Sequence, residues 1–113
     1  MLFRSNIHRT AFDIVLQAET GYMYMNGNKK SGPLKMPVAL IDVLAAHQLK
    51  EAILLAIIKR MKFGKGSKVS VSLFNSAISS LVNQASNYLM VGHTPQALGS
   101  LHPNISQIGR AHV

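Results

Sequence analysis

Apolar positions in this chain fall into patterned stretches separated by loop-forming residues. After Pro37 the sequence runs Val38-Ala39-Leu40-Ile41, then Asp42, and apolar residues recur at Ala46, Leu49, Ile53, Ile57 and Met61. That three- and four-residue spacing is the signature of a helix with an apolar face. It predicts a helix of about twenty residues from Asp42 to Lys62, stopped by Gly64 and Gly66. Phe74, Ala77, Ile78, Leu81, Ala85, Tyr88 and Leu89 trace a second helical face, so a helix is expected from about Leu73 to Leu89, ending before Gly92 and Pro95. Between the two, Val69, Val71 and Leu73 alternate with Ser70 and Ser72, which predicts a brief strand. Phe12 to Ala18 is a short apolar segment compatible with helix or strand. Asn26 to Pro37, with its glycines, prolines and lysines, reads as an exposed loop, and Thr94 to Ser106 as a connecting segment. No internal repeat is visible. Two main helices with short strands place the chain in the α/β class.

Composition and charge narrow this picture. At 113 residues with 48% hydrophobic side chains, the chain is one domain or part of one, and disorder throughout is excluded. The longest apolar run, Ala52 to Ile58, is far shorter than the roughly 20 residues a membrane span needs, so a soluble, cytoplasmic protein with no membrane partner is expected. Twelve Lys and Arg against four acids give a formal charge of +8, which suits anionic partners such as nucleic acid, acidic surfaces or a phosphorylated cofactor. With no cysteine, disulfides, thiolate zinc sites and cysteine nucleophiles are all excluded.

The ends carry a different signal. Leu2-Phe3-Arg4-Ser5 can be encoded by CTC-TTC-CGA-TCT, and Gln107 to Ala111 by a stretch containing the reverse complement of that sequence. We expect residues 1–5 and 107–113 to be adapter-derived, leaving 6–106 as the genuine segment. Without Arg4 and Arg110 the balance is still 10 − 4 = +6. Any targeting signal would have been lost with the true N-terminus.

Most candidate chemistry fails on spacing. His8, His47, His93, His102 and His112 show no i,i+4 pair and no companion carboxylate at ligand spacing, so no metal is expected. Phe63-Gly64-Lys65-Gly66-Ser67 lacks the spacing of a phosphate loop and reads as a helix stop. The cluster Lys59, Arg60, Lys62, Lys65 and Lys68 suits the C-terminal end of a helix, where cations are favoured by the macrodipole. Asp42 stands apart because it is flanked by Leu40, Ile41, Val43 and Leu44, at the edge of an apolar environment where a carboxylate's reactivity is tunable. By pattern alone it is a helix-capping carboxylate.

Three blocks change that assignment. Phe12-Asp13-Ile14-Val15-Leu16-Gln17-Ala18-Glu19-Thr20-Gly21 is one, Pro37-Val38-Ala39-Leu40-Ile41-Asp42 the second, and Lys62-Phe63-Gly64-Lys65-Gly66-Ser67-Lys68-Val69-Ser70-Val71-Ser72-Leu73-Phe74 the third. In order and separation they resemble the class III coenzyme A transferases, a superfamily that includes formyl-CoA, carnitine and succinyl-type transferases and the acyl-CoA racemases. The likeness runs from about residue 8 to 105. Thr10 and Ala11 replace a usual proline and glycine, Ala46 a glycine, and Ser70 and Asn75 aspartates; these departures blur the subfamily.

The resemblance implies a fragment of a large Rossmann-like domain from an interlocked homodimer. It implies CoA transfer from an acyl-CoA thioester to a carboxylic acid through an aspartyl-CoA intermediate on Asp42, with Arg9, Phe12 and Asp13 beside the CoA or substrate. Coenzyme A would be a substrate, and no separate cofactor is implied. Racemases carry a histidine where this chain has Phe12, so racemisation is the lesser alternative. A rival from another class is a small basic helical module that binds nucleic acid or an acidic surface through Lys59 to Lys68. Only Phe63 interleaves with that cluster, which argues against a nucleic-acid partner.

Overall fold

The computed structural model describes residues 11–105, and within them the chain is helical. In order the elements are α1 (Asp13–Glu19), α2 (Tyr22–Asn26), α3 (Leu40–Phe63), α4 (Leu73–Ser79) and α5 (Val82–Val91). Arg9 and the two end segments expected to be adapter-derived lie outside the described residues.

Phe12 to Ala18, compatible in sequence with helix or strand, belongs to a helix. Leu16 and Gln17 point inward from α1, and the Thr20 hydroxyl donates to the Leu16 carbonyl at 2.6 Å as the helix closes. The core is small and draws one residue from each of three helices: Leu16 of α1, Ile41 of α3 and Ala77 of α4, flanked by half-buried Tyr22, Leu44 and Leu73. Polar side chains lock the same junction. The Ser76 hydroxyl donates to Gln48 Oε1 at 2.8 Å, and Gln48 Nε2 donates to the Ser79 hydroxyl at 2.8 Å, fastening α4 along α3.

The long helix extends two residues before Asp42 and one beyond Lys62, and Gly64 ends it as expected. Gly64 sits at φ 69°, and its amide donates to the Arg60 carbonyl at 2.8 Å. A left-handed residue at this point is cheap only for glycine. The loop from Gly27 to Ala39 folds back on α2, with the Leu34 amide donating to the Met23 carbonyl at 2.8 Å and Asn26 Nδ2 to the Leu34 carbonyl at 3.1 Å. Gly27 is buried where the Gly32 carbonyl crosses it, and a side chain there would collide with that carbonyl.

Two expectations need correction. Val69 to Leu73 is not a strand: Ser72 is extended (φ −104°, ψ 130°), but no described segment runs alongside, and an unpaired strand has no ladder to hold it. Leu73 instead opens α4, with the Ser72 hydroxyl accepting from the Asn75 amide at 3.4 Å as its cap. Among the described residues the β structure is limited to an isolated bridge between Asn28 and Gly32, so the short strands of the α/β expectation are not found there.

The second correction concerns the helix from Leu73 to Leu89, which is broken in two. The Ser76 hydroxyl shares its single proton between Gln48 Oε1 and the Ser72 carbonyl, and the Ser79 and Ser80 hydroxyls both donate to the Ser76 carbonyl, at 2.8 to 3.0 Å. Such bonds compete with the helical ladder. The chain then turns at Val82, the first residue of α5, whose φ of 40° is an unusual value for a β-branched residue. Asn83 and Asn87 of α5 hold the connecting segment by side-chain bonds to Asn104 of 2.7 to 3.1 Å. Among the described residues, no helix is long and apolar enough to cross a membrane.

Candidate active site

Asp42 is the third residue of α3 and does not cap it. The helix opens with Ala39 at the N-cap, which offers no side-chain acceptor, so its first amides need partners from elsewhere. Asp13 supplies one from α1: its Oδ1 accepts the Ile41 amide at 2.7 Å across 28 residues of sequence. This bond explains why the helix starts earlier than expected and why the capping carboxylate is not Asp42.

The other Asp13 oxygen, Oδ2, accepts from Gln17 Nε2 at 2.7 Å, one helical turn further along α1. Gln17 is fully buried and spends its whole amide on this region. Its Oε1 accepts the Met36 amide at 2.9 Å, and its Nε2 also approaches the Val38 carbonyl at 3.3 Å. Gln17 and Asp13 therefore grip the segment from Met36 to Ile41 at three points. Ile41, fully buried in the core, clamps the same turn from its side-chain end.

Asp42 follows immediately. It is exposed, and its carboxylate takes no hydrogen bond from a described residue. Its position in the first turn of a 24-residue helix places it where unsatisfied amides and the helix dipole favour negative charge. The arrangement is an open carboxylate on a rigid turn, available to an electrophile brought from outside these residues.

Of the residues singled out in sequence, Asp13 and Asp42 are brought together through Ile41. Phe12, at the N-cap of α1 and 63% exposed, adjoins Asp13 in the chain. The basic cluster is elsewhere: Lys59 to Lys62 lie at the far end of α3, roughly 30 Å along the helix from Asp42 at 1.5 Å per residue. Lys62 leans over the Phe63 ring at 5.4 Å. No group of metal-ligating side chains occurs among the described residues. Sequence reasoning passed over Gln17, although a glutamine four residues after an aspartate inside an apolar run was a usable signal of a side-chain pair.

Comparison with known proteins decides the family. The model of CoA-transferase family III matches residues 5–111. The chain belongs to that family. It is similar to curated transferases: it is 35% identical over 95 residues to a succinate–glutarate CoA-transferase of Agrobacterium fabrum, covering 84% of this chain and 24% of the relative. It is 28% identical over 98 residues to a succinyl-CoA:glutarate CoA-transferase of Mus musculus, covering 87% of this chain and 22% of that one. Among solved structures, it resembles a CAIB/BAIF family protein from Brucella suis, with a TM-score of 0.82 and 35% identity over 89% of this chain and 27% of that chain. The chain thus spans about a quarter of the length of the curated relatives it matches.

Proposed function

We propose that these residues are the nucleophile-bearing part of a CoA transferase that moves coenzyme A from an acyl-CoA to a carboxylic acid through Asp42. The observation that carries this reading is an exposed carboxylate on a turn gripped by Asp13, Gln17 and Ile41, within a family III chain. A gripped turn fixes the attacking oxygen, and an exposed one leaves it reachable.

In this reading an Asp42 oxygen attacks the thioester carbonyl, the C–S bond breaks, and a mixed anhydride and CoA thiolate form. The thiolate attacks the aspartyl carbonyl of the anhydride and expels the donor acid as a carboxylate. This leaves aspartyl-CoA. An acceptor carboxylate attacks that thioester, giving a new anhydride and thiolate, and the thiolate then takes the acceptor acyl group, restoring Asp42. Each step exchanges one acyl bond for another, so no oxidant or metal enters the balance. Arg9, Phe12 and Asp13 border the CoA or substrate in this scheme, with Asp13 also holding the nucleophile's turn. The parent is an α/β homodimer whose sheet lies outside the residues described.

The substrates are short dicarboxylic acids and their CoA thioesters. Relatives named for succinate, glutarate, mesaconate, oxalate and citramalate support this, all of them dicarboxylates, while the oxalate relative is named for acetyl-CoA as its thioester. The basic balance of the chain suits such doubly charged acids.

The test uses the full-length transferase that carries these residues. Asp42→Ala should lower transfer from succinyl-CoA to glutarate by on the order of 10³-fold or more while leaving CoA binding nearly unchanged. Hydroxylamine added during turnover should convert Asp42, and no other acid, to a hydroxamate seen by peptide mass. A hydroxamate on Asp13 or Glu51, or near-normal transfer by Asp42→Ala, overturns the assignment.

A further inference from the structure

We infer that Gln17 is a positioning residue for the nucleophile, acting through Asp13 on the turn that carries Asp42. The inference rests on the proposed role of Asp42 and adds a residue that touches neither substrate nor the reacting carboxylate.

The geometry assigns this role by elimination of simpler ones. A buried glutamine normally satisfies its own amide and little else. Gln17, however, joins three parts of the chain that are 4, 19 and 21 residues away: the Asp13 carboxylate, the Met36 amide and the Val38 carbonyl. The Asp13 carboxylate it holds is the acceptor for the Ile41 amide, whose residue precedes Asp42. Asp13 has a second rotameric freedom about its carboxyl that the Gln17 bond removes. With both oxygens engaged at 2.7 Å, the carboxylate is fixed and Ile41 has one place to sit. Without Gln17, Asp13 could still accept from Ile41 but in a range of orientations, and the Met36 to Val38 segment would lose its two ties to α1. A displacement of about 1 Å at a reacting group costs on the order of 10²-fold in rate.

A protonation test separates positioning from bulk stability. Gln17→Glu keeps the shape and the acceptor but, when ionised, sets a second carboxylate against Asp13 in place of a donor. Two carboxylates at hydrogen-bonding distance share a proton, and one of them titrates at raised pH. Protonated, the new side chain has one proton and restores the donation to Asp13, though not the longer one to Val38. The other titratable groups on elements packed against α1 near this end are Tyr22 and Tyr24 of α2 and Asp42, His47, Lys50 and Glu51 of α3; α4 has none, and α1 itself adds Glu19. All of these are common to wild type and variant, so the ratio of the two rates at each pH isolates position 17.

In the full-length transferase, Gln17→Leu should lower kcat for succinyl-CoA to glutarate transfer by about 10²-fold with KM for the acyl-CoA changed less than threefold. Gln17→Glu should be similarly slow at pH 8 and recover at least tenfold relative to wild type as the pH falls to 5. Gln17→Leu should show no such recovery. Should Gln17→Leu fail to fold, the Gln17→Glu pH ratio alone decides. A flat ratio for Gln17→Glu, or a loss expressed mainly in KM, overturns the inference. Asp42→Ala measured alongside separates the two readings. If it is inactive while both Gln17 variants transfer normally, only this inference falls; if it stays active, the assignment of Asp42 falls first.

Discussion

The two halves of α3 live in different surroundings. One face of its first two turns packs into the junction with α1 and α4, where Ile41 is fully buried and Gln17 and Ser76 bury their polar groups with partners. Its last three turns carry Leu54, Leu55, Ile57, Ile58 and Met61 at 49 to 82% exposure, and α5 continues the pattern with Leu89, Met90 and Val91 above 75%. Apolar residues are spread round the helix there and do not form one stripe, the pattern of a helix covered on several sides. The difference teaches which part of the chain is locally self-sufficient. The junction closes its own hydrogen bonds around a three-residue core, and the apolar residues of the rest have no cover among the described residues.

The strongest way to break this comparison is to express the 113 residues alone. They should aggregate and show no cooperative thermal transition, because a core of this size does not offset the exposed apolar surface. Replacing Leu55, Ile58, Leu89 and Met90 with Lys and Glu should yield a soluble monomer, judged by sedimentation. The same four changes in the full-length transferase should abolish folding. A full-length protein that tolerates them would show those faces to be solvent-facing and the comparison mistaken. Next in size is Ile41→Ala, which should destabilise the full-length protein by about 2–5 kcal/mol through the cavity it leaves. Chemical denaturation measures that loss, and a change under 1 kcal/mol would mean the core at Ile41 is not packed as described.

What the sequence made legible follows the range of the interactions involved. The body of α3 and its stop at Gly64 depend on spacing and on one residue's conformational freedom, both local, and both were readable. The loop expected from Asn26 to Pro37 was readable for the same reason, although Asn26, its expected first residue, ends α2 and Gly27 is buried. Val69 to Leu73 was misread because alternation reports a pleated fit but says nothing about whether a partner strand lies beside it. The break between α4 and α5 was missed because periodicity counts apolar positions, and the break is a backbone turn at Val82, at φ 40°. At the site, Asp42 and Asp13 were singled out by resemblance, but their connection through Ile41 spans 28 residues and no local pattern encodes it. The same distance misassigned the cap: a carboxylate near a helix start was legible, and the one from another helix that actually serves was not.

A smaller effect sharpens the boundary between the halves. Gly64→Ala should cost about 1–2 kcal/mol, the penalty for a side chain in the left-handed region, since the residue sits at φ 69° with open space around it. The loss should appear as fraying of the last turn of α3 in hydrogen exchange, leaving the amides near Ile41 as protected as before. Loss of protection at both ends together would mean α3 behaves as one unit and the two halves are not separable.

The smallest predicted effect tests the sealed junction by pH. Tyr22 donates its hydroxyl to the Ala77 carbonyl at 3.1 Å, joining α2 to α4 over the core. Burial pushes its pKa up from the ordinary value, and a hydrogen bond with Ser80 offsets part of that rise. A phenol whose folded pKa lies above its unfolded value contributes stability that is fully present below about pH 10 and is lost as the pH rises through the folded pKa. Denaturation of the full-length transferase should therefore show a loss of stability on the alkaline side of pH 10 that Tyr22→Phe removes. At neutral pH that variant should be destabilised by only about 1 kcal/mol, the net worth of the hydrogen bond to Ala77. Deprotonation removes the same donor, so the two losses share a cause: wild type above the folded pKa and Tyr22→Phe at any pH both lack the bond, and their stabilities should converge there. Curves that stay parallel across the alkaline range would mean Tyr22 ionises as freely folded as unfolded, and that the α2 to α4 contact is open to water.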